Sequence, residues 1–360
     1  MKKSLSNRRV ALFAALLCAV TLTASAEEVK KDFQREMVPT DNSTLKVINK
    51  FGAVVTETWD QNRIVVNVTV KVEHPSADRA RKLLDMITVK FTEEGGNLTA
   101  ETVFSSDFSS ISWKGSNHSF SINYNIKMPA RVNLDISNRY GNTVVDEVSG
   151  LTHLEVKYGD LTVGKLSRGN VKPINSLAVA YGKATVDELG WAEINARYCG
   201  MFSVRRATAL LVDSRYSKIS VEEVSSLVAD SKYDGYIVTN ANNIVLMGGY
   251  TDLNFKKVNR KLEVETKYGN LAVERVPAGF EKITVKAGYC AVRLGIDPAA
   301  CYMLEATTSY GSLKVDDTSF SPDKRIVGNT SSEMAGKVGK CSNPTSMVKV
   351  TASYGSVRLN

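Results

Sequence analysis

The sequence predicts an all-β fold, a parallel β-solenoid of about eleven coils of 17–21 residues, with an irregular N-terminal cap that contains one short helix. Three observations predict this fold: a tyrosine that returns at short intervals, apolar residues spaced by two around it, and too little chain between tyrosines for a helix. The first nine gaps between the tyrosines are 18, 23, 17, 18, 17, 17, 18, 21 and 21 residues. The tyrosines of this series are Tyr140, Tyr158, Tyr181, Tyr198, Tyr216, Tyr233, Tyr250, Tyr268, Tyr289, Tyr310 and Tyr354.

Each interval repeats one template, which is that of a strand. An apolar residue stands four positions before the tyrosine, as in Ile136 and Leu154, and an apolar pair stands three and five positions after it, as in Leu161 and Val163. Because alternate residues of a strand face the same side, each unit is predicted to hold two short strands with these positions inside. The bend falls at Tyr-Gly, where we expect the glycine to adopt a positive φ. A further apolar residue stands eight positions after the tyrosine in many units, and a third short strand after that position stays an open alternative.

The chain before Tyr140 predicts an irregular cap over the first coil. Residues 47–55 match the template with Phe51 in place of tyrosine, and residues 64–72 alternate as a long strand. Residues 77–86 carry apolar side chains at helical spacing and predict the one short helix. The other predicted elements of the cap are strands over residues 87–91, 98–104 and 120–128 and a polar loop over residues 105–117. We expect a cap here because an exposed end of a solenoid would pair with other chains.

The period breaks near the C-terminus. No tyrosine of the series falls between Tyr310 and Tyr354, and this interval is rich in glycine and proline. Residues 319–345 are therefore predicted to form a long loop or lid, and residues 347–359 to form one more coil.

The first 26 residues predict a signal peptide. A basic segment over residues 2–9 precedes an apolar stretch over residues 10–22 that is too short to span a membrane, and Ala24-Ser25-Ala26 fits a cleavage site. Lipid attachment at Cys18 is disfavoured because the leucine before it is not small. We therefore expect an exported protein, periplasmic or associated with the cell surface. The predicted organisation is a signal peptide over residues 1–26, a cap and first coil over 27–128, and repeats over 129–360 with a loop insertion near 319–345.

The charge balance argues against nucleic acid as a partner. The whole chain carries a net charge of +8, but removal of the signal peptide leaves 42 basic against 38 acidic residues. A nearly balanced chain has no strong field with which to attract a polyphosphate. No second apolar stretch is long enough to predict a transmembrane segment.

Several phrases of the sequence carry a resemblance to a known family. They are Ile48-Asn49-Lys50-Phe51-Gly52, Thr58-Trp59-Asp60, the segment over residues 129–141, and the Lys-Tyr-Gly phrases at residues 157–161 and 267–271. These phrases resemble an exported bacterial putative-adhesin family, a domain of unknown function. The resemblance covers residues 44–360. It implies a β-solenoid with Lys/Arg-Tyr-Gly repeats, and it brings no catalytic motif.

A row of basic residues just before the tyrosines is the candidate ligand-binding feature. Its positions face outward, and neighbouring coils would place them about 5 Å apart, so that they could bind an anionic glycan or lipid phosphates. Acidic residues two positions earlier, such as Glu155 and Asp213, and interruptions at Ala180 and Gly249 support the alternative of a charge-paired, solvated face. The candidate residues of this anion stripe are Arg139, Lys157, Arg197, Arg215, Lys232 and Lys267, with Lys50 in the same position of the first coil.

Other side chains give little sign of catalysis, of a metal or of a cofactor. Acid pairs follow several tyrosines, but charges of opposite sign on neighbouring coils favour structural pairing over the carboxylate pair of a glycosidase. Histidine occurs only at His74, His118 and His153, outside any ligand spacing, and no nucleophile or phosphate-binding motif is present. The acid pairs are Asp146/Glu147, Asp187/Glu188, Glu222/Glu223 and Asp316/Asp317. We expect no cofactor, no metal and no catalytic residue.

The tyrosines and cysteines each allow two interpretations. The tyrosine rings either stack on sugars or, as we favour, form an internal or turn-packing ladder. Cys199 and Cys290 lie about five coils apart, which is too far for a disulfide. Cys301 and Cys341 bracket the irregular interval and are the candidate pair.

These observations predict a non-enzymatic, exported, adhesin-like or envelope-associated binding or structural scaffold. The expected partners are a glycan, lipid head groups or another envelope protein. Two alternatives stay open: a carbohydrate-active β-helix enzyme similar to polysaccharide lyases, and an accessory protein of envelope-stress signalling.

Overall fold

A computed structural model describes residues 27–110, 118–316 and 318–360 of the chain. Across these ranges the protein is nearly all β, with 24 strands in one hydrogen-bonded sheet, one α-helix and one short 3-10 helix. The predicted signal peptide, Cys18 and residues 111–117 of the predicted polar loop lie outside the described residues. No helix of the described ranges is long and apolar enough to cross a membrane.

The N-terminal region is an antiparallel assembly that covers the first repeat. Strand β4 (Ile64–His74) runs antiparallel to both β1 (Glu27–Met37) and β7 (Ser119–Met128), and β5 and β6 form a further antiparallel pair. Strands β6 and β7 then pair in parallel with β2 and β3, the two strands of the Phe51 unit. Its elements are β1 (Glu27–Met37), β2 (Thr44–Lys50), β3 (Val54–Thr58), β4 (Ile64–His74), α1 (Ala77–Asp85), β5 (Ile87–Glu94), β6 (Asn97–Phe104), a 3-10 helix (Ser106–Ser110) and β7 (Ser119–Met128). The helix and the predicted strands are confirmed to within a few residues, whereas β1 was not predicted.

The repeat region consists of parallel strands in register. The Phe51 unit pairs with the Tyr140 unit, and each later unit pairs with the next in sequence order. Its strands are β8 (Asn133–Arg139), β9 (Thr143–Val148), β10 (Thr152–Lys157), β11 (Leu161–Leu166), β12 (Asn175–Ala180), β13 (Lys183–Arg197), β14 (Met201–Arg215), β15 (Lys218–Lys232), β16 (Gly235–Gly249), β17 (Asp252–Val276) and β18 (Lys282–Ile296). From Lys183 to Gly249 the chain between two tyrosines is a single strand, so no separate third strand occurs there.

The core lies between the inward faces of these stacked units. Leu154, Leu177 and Ile194 occupy equivalent positions in three successive units, pair in register and are fully buried. Burial of each such side chain contributes about 2 kcal/mol. The apolar ladder therefore specifies both the inward face and the register of the stack.

The turn at each tyrosine differs from the prediction. The left-handed residue is the tyrosine itself, with φ between 52° and 60° at all eleven tyrosines of the series. The prediction that the following glycine supplies the positive φ was wrong. The glycine serves close approach instead: a Cβ on Gly159 would lie 2.1 Å from the carbonyl oxygen of Gly141 in the unit before it. At the turns that have this glycine, the units touch backbone to backbone, with no room for a side chain.

The C-terminal region departs from sequence order. Strand β23 pairs in parallel with both β18 and β19, and β24 pairs with both β18 and β20. The last unit of the chain therefore lies between the Tyr289 and Tyr310 units. The strands of this region are β19 (Tyr302–Ser309), β20 (Ser312–Val315), β21 (Phe320–Val327), β22 (Ser331–Val338), β23 (Ser346–Ser353) and β24 (Ser356–Leu359).

The interval predicted as a loop or lid, residues 319–345, contains strands β21 and β22, so that prediction was wrong. Strand β22 runs antiparallel along β19, and β21 runs antiparallel along β22. The reason is the outer edge of β19, whose unpaired backbone groups are satisfied by β22. The glycine and proline content that suggested a loop accompanies turns and a register shift between Pro322 and Lys324.

Candidate functional site

One corner of the stacked units carries a continuous column of aromatic rings, the tyrosine stack. Neighbouring ring centroids lie 4.7–5.1 Å apart, with planes inclined by 3–15°. The rings follow one another in the spatial order Phe51, Tyr140, Tyr158, Tyr181, Tyr198, Tyr216, Tyr233, Tyr250, Tyr268, Tyr289, Tyr354 and Tyr310. This face-to-face contact offsets the roughly 1–2 kcal/mol that a left-handed L-residue costs.

The tyrosine stack lies on the outside of the protein. Its tyrosines are 44–61% exposed, so an internal ladder is not what forms. The rings pack on one another at the turns, as the turn-packing interpretation expects, and each interior ring has a neighbour on both faces. A sugar therefore has no free face to stack on along the column. The phenol hydroxyls make no hydrogen bond to any described residue and form an open row of polar groups.

The predicted basic residues form a second row beside the stack, the basic row. Strand pairing places them in one register, one strand spacing of about 4.8 Å apart. From the N-terminal end the row contains Lys50, Arg139, Lys157, Ala180, Arg197, Arg215, Lys232, Gly249, Lys267 and Gly288. All six residues of the predicted anion stripe therefore share one register position, and each directly precedes a tyrosine of the stack.

Part of the basic row is charge-paired. Arg197 donates to Asp213 at 2.7 Å, and Arg215 lies 2.7 Å from Asp213 and 3.0 Å from Asp230. Lys157 donates to Glu155, and this hydrogen bond holds the pKa of the Glu155 carboxyl below its usual value. For Lys157, Arg197 and Arg215 the geometry agrees with the charge-paired alternative.

Four bases of the row are different. Lys50, Arg139, Lys232 and Lys267 form no ion pair and no side-chain hydrogen bond within the part of the chain that the structure describes. Lys50 and Arg139 are at the N-terminal end, where they border a pocket of about 620 Å³. Lys232 and Lys267 are separated by Gly249 in the register. These four residues can attract an anion without first breaking an ion pair.

Two open grooves lie along the row on either side of Lys267. The first, of about 380 Å³, is bordered by Lys232 and Lys267 and has Gly248 and Gly249 between them. The second, of about 260 Å³, includes Gly288 and the hydroxyl-bearing Ser309 and Ser353. A separate groove of about 440 Å³, lined by Glu188, Arg206, Glu223 and Asn240 among others, lies away from the row.

Two of the acid pairs, Asp187/Glu188 and Asp146/Glu147, are engaged by neighbouring bases and a backbone amide. Glu222 and Glu223 form no ion pair and no side-chain hydrogen bond with a described residue. Arg205 donates to both Asp187 and Glu188, and its contact holds the pKa of Asp187 below the usual value. Arg206 also contacts Glu188 at 2.9 Å. At the earlier pair, Asp146 accepts from the amide of Thr58 at 3.3 Å and Glu147 lies 3.5 Å from Lys165. Of the last pair, Asp317 lies outside the described residues. This pairing favours a structural role for the acids of the two engaged pairs.

The cysteines occupy two kinds of position. Cys301 and Cys341 form a disulfide with their Cα atoms 6.1 Å apart, which links the residue before β19 to the segment after β22. Cys199 and Cys290 are free and buried. Burial raises the pKa of the Cys199 thiol to about 11.

A buried polar cluster was not predicted. Asp234 stands where most units have glycine, and its carboxylate accepts from the backbone amides of Ser217 and Lys232 and from the hydroxyls of Ser214 and Ser231 at 2.7–2.9 Å. The signal for it was present in the sequence, since an acid follows the tyrosine in this unit alone. The cluster ties three successive units together. Across residues 27–110, 118–316 and 318–360, no group of three or more His, Cys, Asp or Glu residues could hold a metal ion.

No family model matches the chain, and no curated protein is similar to it. Among solved structures, a putative lipid binding protein from Parabacteroides distasonis is 13% identical, with 92% of this chain and 97% of that chain covered and a TM-score of 0.33. A putative adhesin from the same organism is 10% identical, with the same coverage and a TM-score of 0.32. A putative cell adhesion protein from Clostridium sporogenes is 9% identical, with 92% and 99% covered and a TM-score of 0.19. At these scores the likeness decides nothing about this chain.

Proposed function

We propose that the protein is a non-enzymatic, exported scaffold of the cell envelope that binds an anionic glycan along its basic row and tyrosine stack. In this proposal the units wind as a β-solenoid of about eleven coils behind a removed leader, residues 1–26, and the cap over residues 27–128 closes its first coil. The parallel, in-register pairing of successive units supports that winding.

The observation that carries the proposal is the parallel course of two polar rows: phenol hydroxyls without internal partners, and a basic row in which four residues have none. Phenol hydroxyls repeat at every strand of the tyrosine stack, and beside them lie the unpaired side chains of Lys50, Arg139, Lys232 and Lys267. Hydroxyls recognise sugar hydroxyls, and ammonium or guanidinium groups recognise carboxylates and sulfates. An extended anionic glycan offers both kinds of group along its length.

A second candidate, an anionic lipid surface, is favoured by one specific feature. Leu211, Val228 and Met247 are 37%, 44% and 59% exposed on the same outward face as the basic row. Together with Lys232 and Lys267 they could contact apolar chains below phosphate groups. The glycan remains the first choice because the phenol hydroxyls form the longer and more regular surface.

A binding screen with matched polymers tests the proposal. We expect the purified protein to bind heparin on a glycan array, to bind neutral dextran far more weakly, and to lose at least about tenfold in heparin affinity as salt rises and screens the charges. Equal binding to heparin and dextran would refute the anionic-glycan proposal. Preference for phosphatidylglycerol vesicles over heparin would favour the lipid candidate instead.

Paired variants assign the binding to this face. We expect Lys232→Gln with Lys267→Gln to weaken heparin binding about tenfold or more, because each lysine removed deletes one unpaired cation. Lys183→Gln with Lys218→Gln is the matched control, since both lysines are exposed on the other side of the tyrosine stack and the net charge changes equally. Turnover of an anionic polysaccharide, seen as new reducing ends, would contradict the non-enzymatic part of the proposal.

A further inference from the structure

We infer that the glycine-lined grooves around Lys267 form the principal binding site, and that this site selects a polysaccharide with an anionic group on alternate sugars. The inference rests on the proposed function, because it specifies where on the basic row the glycan binds and which charge pattern it carries.

Lys267 is isolated within the basic row by two glycines. In the strand register its neighbours are Gly249 on one side and Gly288 on the other, and Lys232 follows beyond Gly249. Two strand spacings therefore separate the backbones of Lys232 and Lys267, or about 10 Å. Elsewhere in the row, as at Arg197 and Arg215, basic residues are direct neighbours.

The glycine at position 249 is not required by the backbone. Its φ lies outside the left-handed region, and the nearest heavy atom to an added Cβ would be Lys232 Cγ at 3.8 Å. The glycines that follow the tyrosines are the opposite case, since there no Cβ fits. The effect of Gly249 is therefore to leave open space between two lysines, which is the groove of about 380 Å³.

The lining of the groove between Lys232 and Lys267 has a net positive charge, although two acids are part of it. Asp230 is engaged by Arg215 at 3.0 Å, and Glu265 lies 3.5 Å from Lys286. Each acid thus has a cation as its partner, although Asp230 shares Arg215 with Asp213, and Lys232 and Lys267 keep their ammonium groups for a ligand.

The second groove extends the site with hydroxyl groups. Ser309 and Ser353 occupy the basic-row position in the last two units, and their side chains donate to no described residue. A glycan chain lying across both grooves would first meet the ammonium group of Lys232, the open space at Gly249 and the ammonium group of Lys267. It would then meet the open space at Gly288 and the hydroxyls of Ser353 and Ser309. Tyrosine hydroxyls border this path on one side.

The spacing specifies the ligand. One sugar of an extended glycan advances by about one strand spacing, so two strand spacings correspond to a disaccharide. Lys232 and Lys267 can then contact the carboxylates of one disaccharide and the next, while the neutral sugar occupies the glycine step. A polymer with an anion on every sugar would place one charge over Gly249, where no cation lies.

Variants at the glycine step separate this site from a simple charged stripe. We expect Gly249→Leu to weaken binding of hyaluronan, which has one carboxylate per disaccharide, by about tenfold, or 1.4 kcal/mol. Gly235→Leu is the control, because an added Cβ there meets nothing within 4 Å and the residue lies on the other side of the tyrosine stack. Gly249→Lys completes the row with a further cation and should also weaken binding, since it fills the groove.

Five outcomes decide the inference. Loss with Gly249→Leu and Gly249→Lys but not with Gly235→Leu supports it, as does weaker binding of polygalacturonate, which is charged on every sugar, than of hyaluronan of equal length. Tighter binding by Gly249→Lys, or preference for polygalacturonate, would overturn it while leaving the proposed function intact. Absence of binding to hyaluronan, polygalacturonate and heparin by the unaltered protein would overturn both.

Discussion

The repeat region from β8 to β18 and the C-terminal region from β19 to β24 use the same unit in different ways. In the repeat region each unit pairs in parallel with the next unit of the sequence. In the C-terminal region the last unit lies between two earlier ones, and an antiparallel hairpin covers the outer edge. Tyr354 nevertheless stacks on Tyr289 at 4.7 Å and 3°, as well as any ring of the repeat region.

The template therefore specifies the shape of a unit but not its place in the stack. A tyrosine turn, an inward apolar ladder and an outward polar row recur wherever a unit lies. Its place depends on which edge remains unpaired when the neighbouring segments are satisfied. The following predictions test this distinction.

The largest expected effect comes from a glycine inside the stack. Gly159→Val should destabilise the protein by about 4 kcal/mol or more, because its Cβ would overlap the carbonyl oxygen of Gly141. Gly169→Val is the control, since nothing lies within 4 Å of a Cβ there, and it should cost little. Urea denaturation compares the two free energies of unfolding, and similar losses would contradict the role of close approach.

Removal of the disulfide should weaken the C-terminal region selectively. A double variant, Cys301→Ser with Cys341→Ser, opens a link across 40 residues of sequence and should lose about 3 kcal/mol. Hydrogen exchange should quicken in β19 and β22 and stay unchanged in β13 to β16, because stacked repeats open locally. A uniform increase along the chain would show that the two regions unfold as one.

The buried polar cluster should matter at the centre of the repeat region. Asp234→Ala leaves the amides of Ser217 and Lys232 without their acceptor, so we expect a loss of about 2 kcal/mol. Asp252→Ala removes an exposed carboxylate that contacts only Asn270 among the described residues, and it should cost much less. Chemical denaturation measures the free energy of unfolding of both variants, and equal losses of stability would contradict the role of the buried polar cluster.

The smallest effect concerns Cys199. Because burial raises its pKa to about 11 from an ordinary 9.0, the thiol should stay neutral and resist iodoacetamide at pH 8 until the protein unfolds. Because the folded state holds the proton of the Cys199 thiol more tightly than the unfolded state does, the contribution of this thiol to stability is full below pH 9. That contribution is lost as pH rises towards 11. Mass mapping of native and urea-treated samples measures the labelling, and rapid native labelling would contradict it.

Sequence alone predicted the unit and much of the candidate site. The basic residues stand at one distance from the tyrosine, so equal spacing was enough to place Lys50 and Lys267 in one row. Which bases of the row form ion pairs could not be predicted in this way, because Arg215 and Lys232 have the same local pattern and only side-chain geometry separates them. The positive φ of the tyrosine could not be predicted either, since glycine usually occupies a left-handed position. Here the stacking of the rings offsets the conformational cost of a left-handed tyrosine.

The C-terminal order was unpredictable for a different reason. The gap of 21 residues between Tyr289 and Tyr310 equals the one before it, so spacing alone suggests direct neighbours. What separates them is a segment 44 residues further along the chain, whose strands fit between β18 and β19. Periodicity describes neighbours in sequence, whereas edge pairing depends on segments that are remote.

The inserted last unit has a consequence for how such a protein can change its length over evolutionary time. A gene duplication within the repeat region adds a unit between two parallel neighbours and leaves both ends as they are. A duplication at the C-terminus would place a new unit after one that is already enclosed on both sides, with no open edge to join. Duplication within the repeat region therefore changes the length of the tyrosine stack and of the basic row while both ends of the stack stay constant.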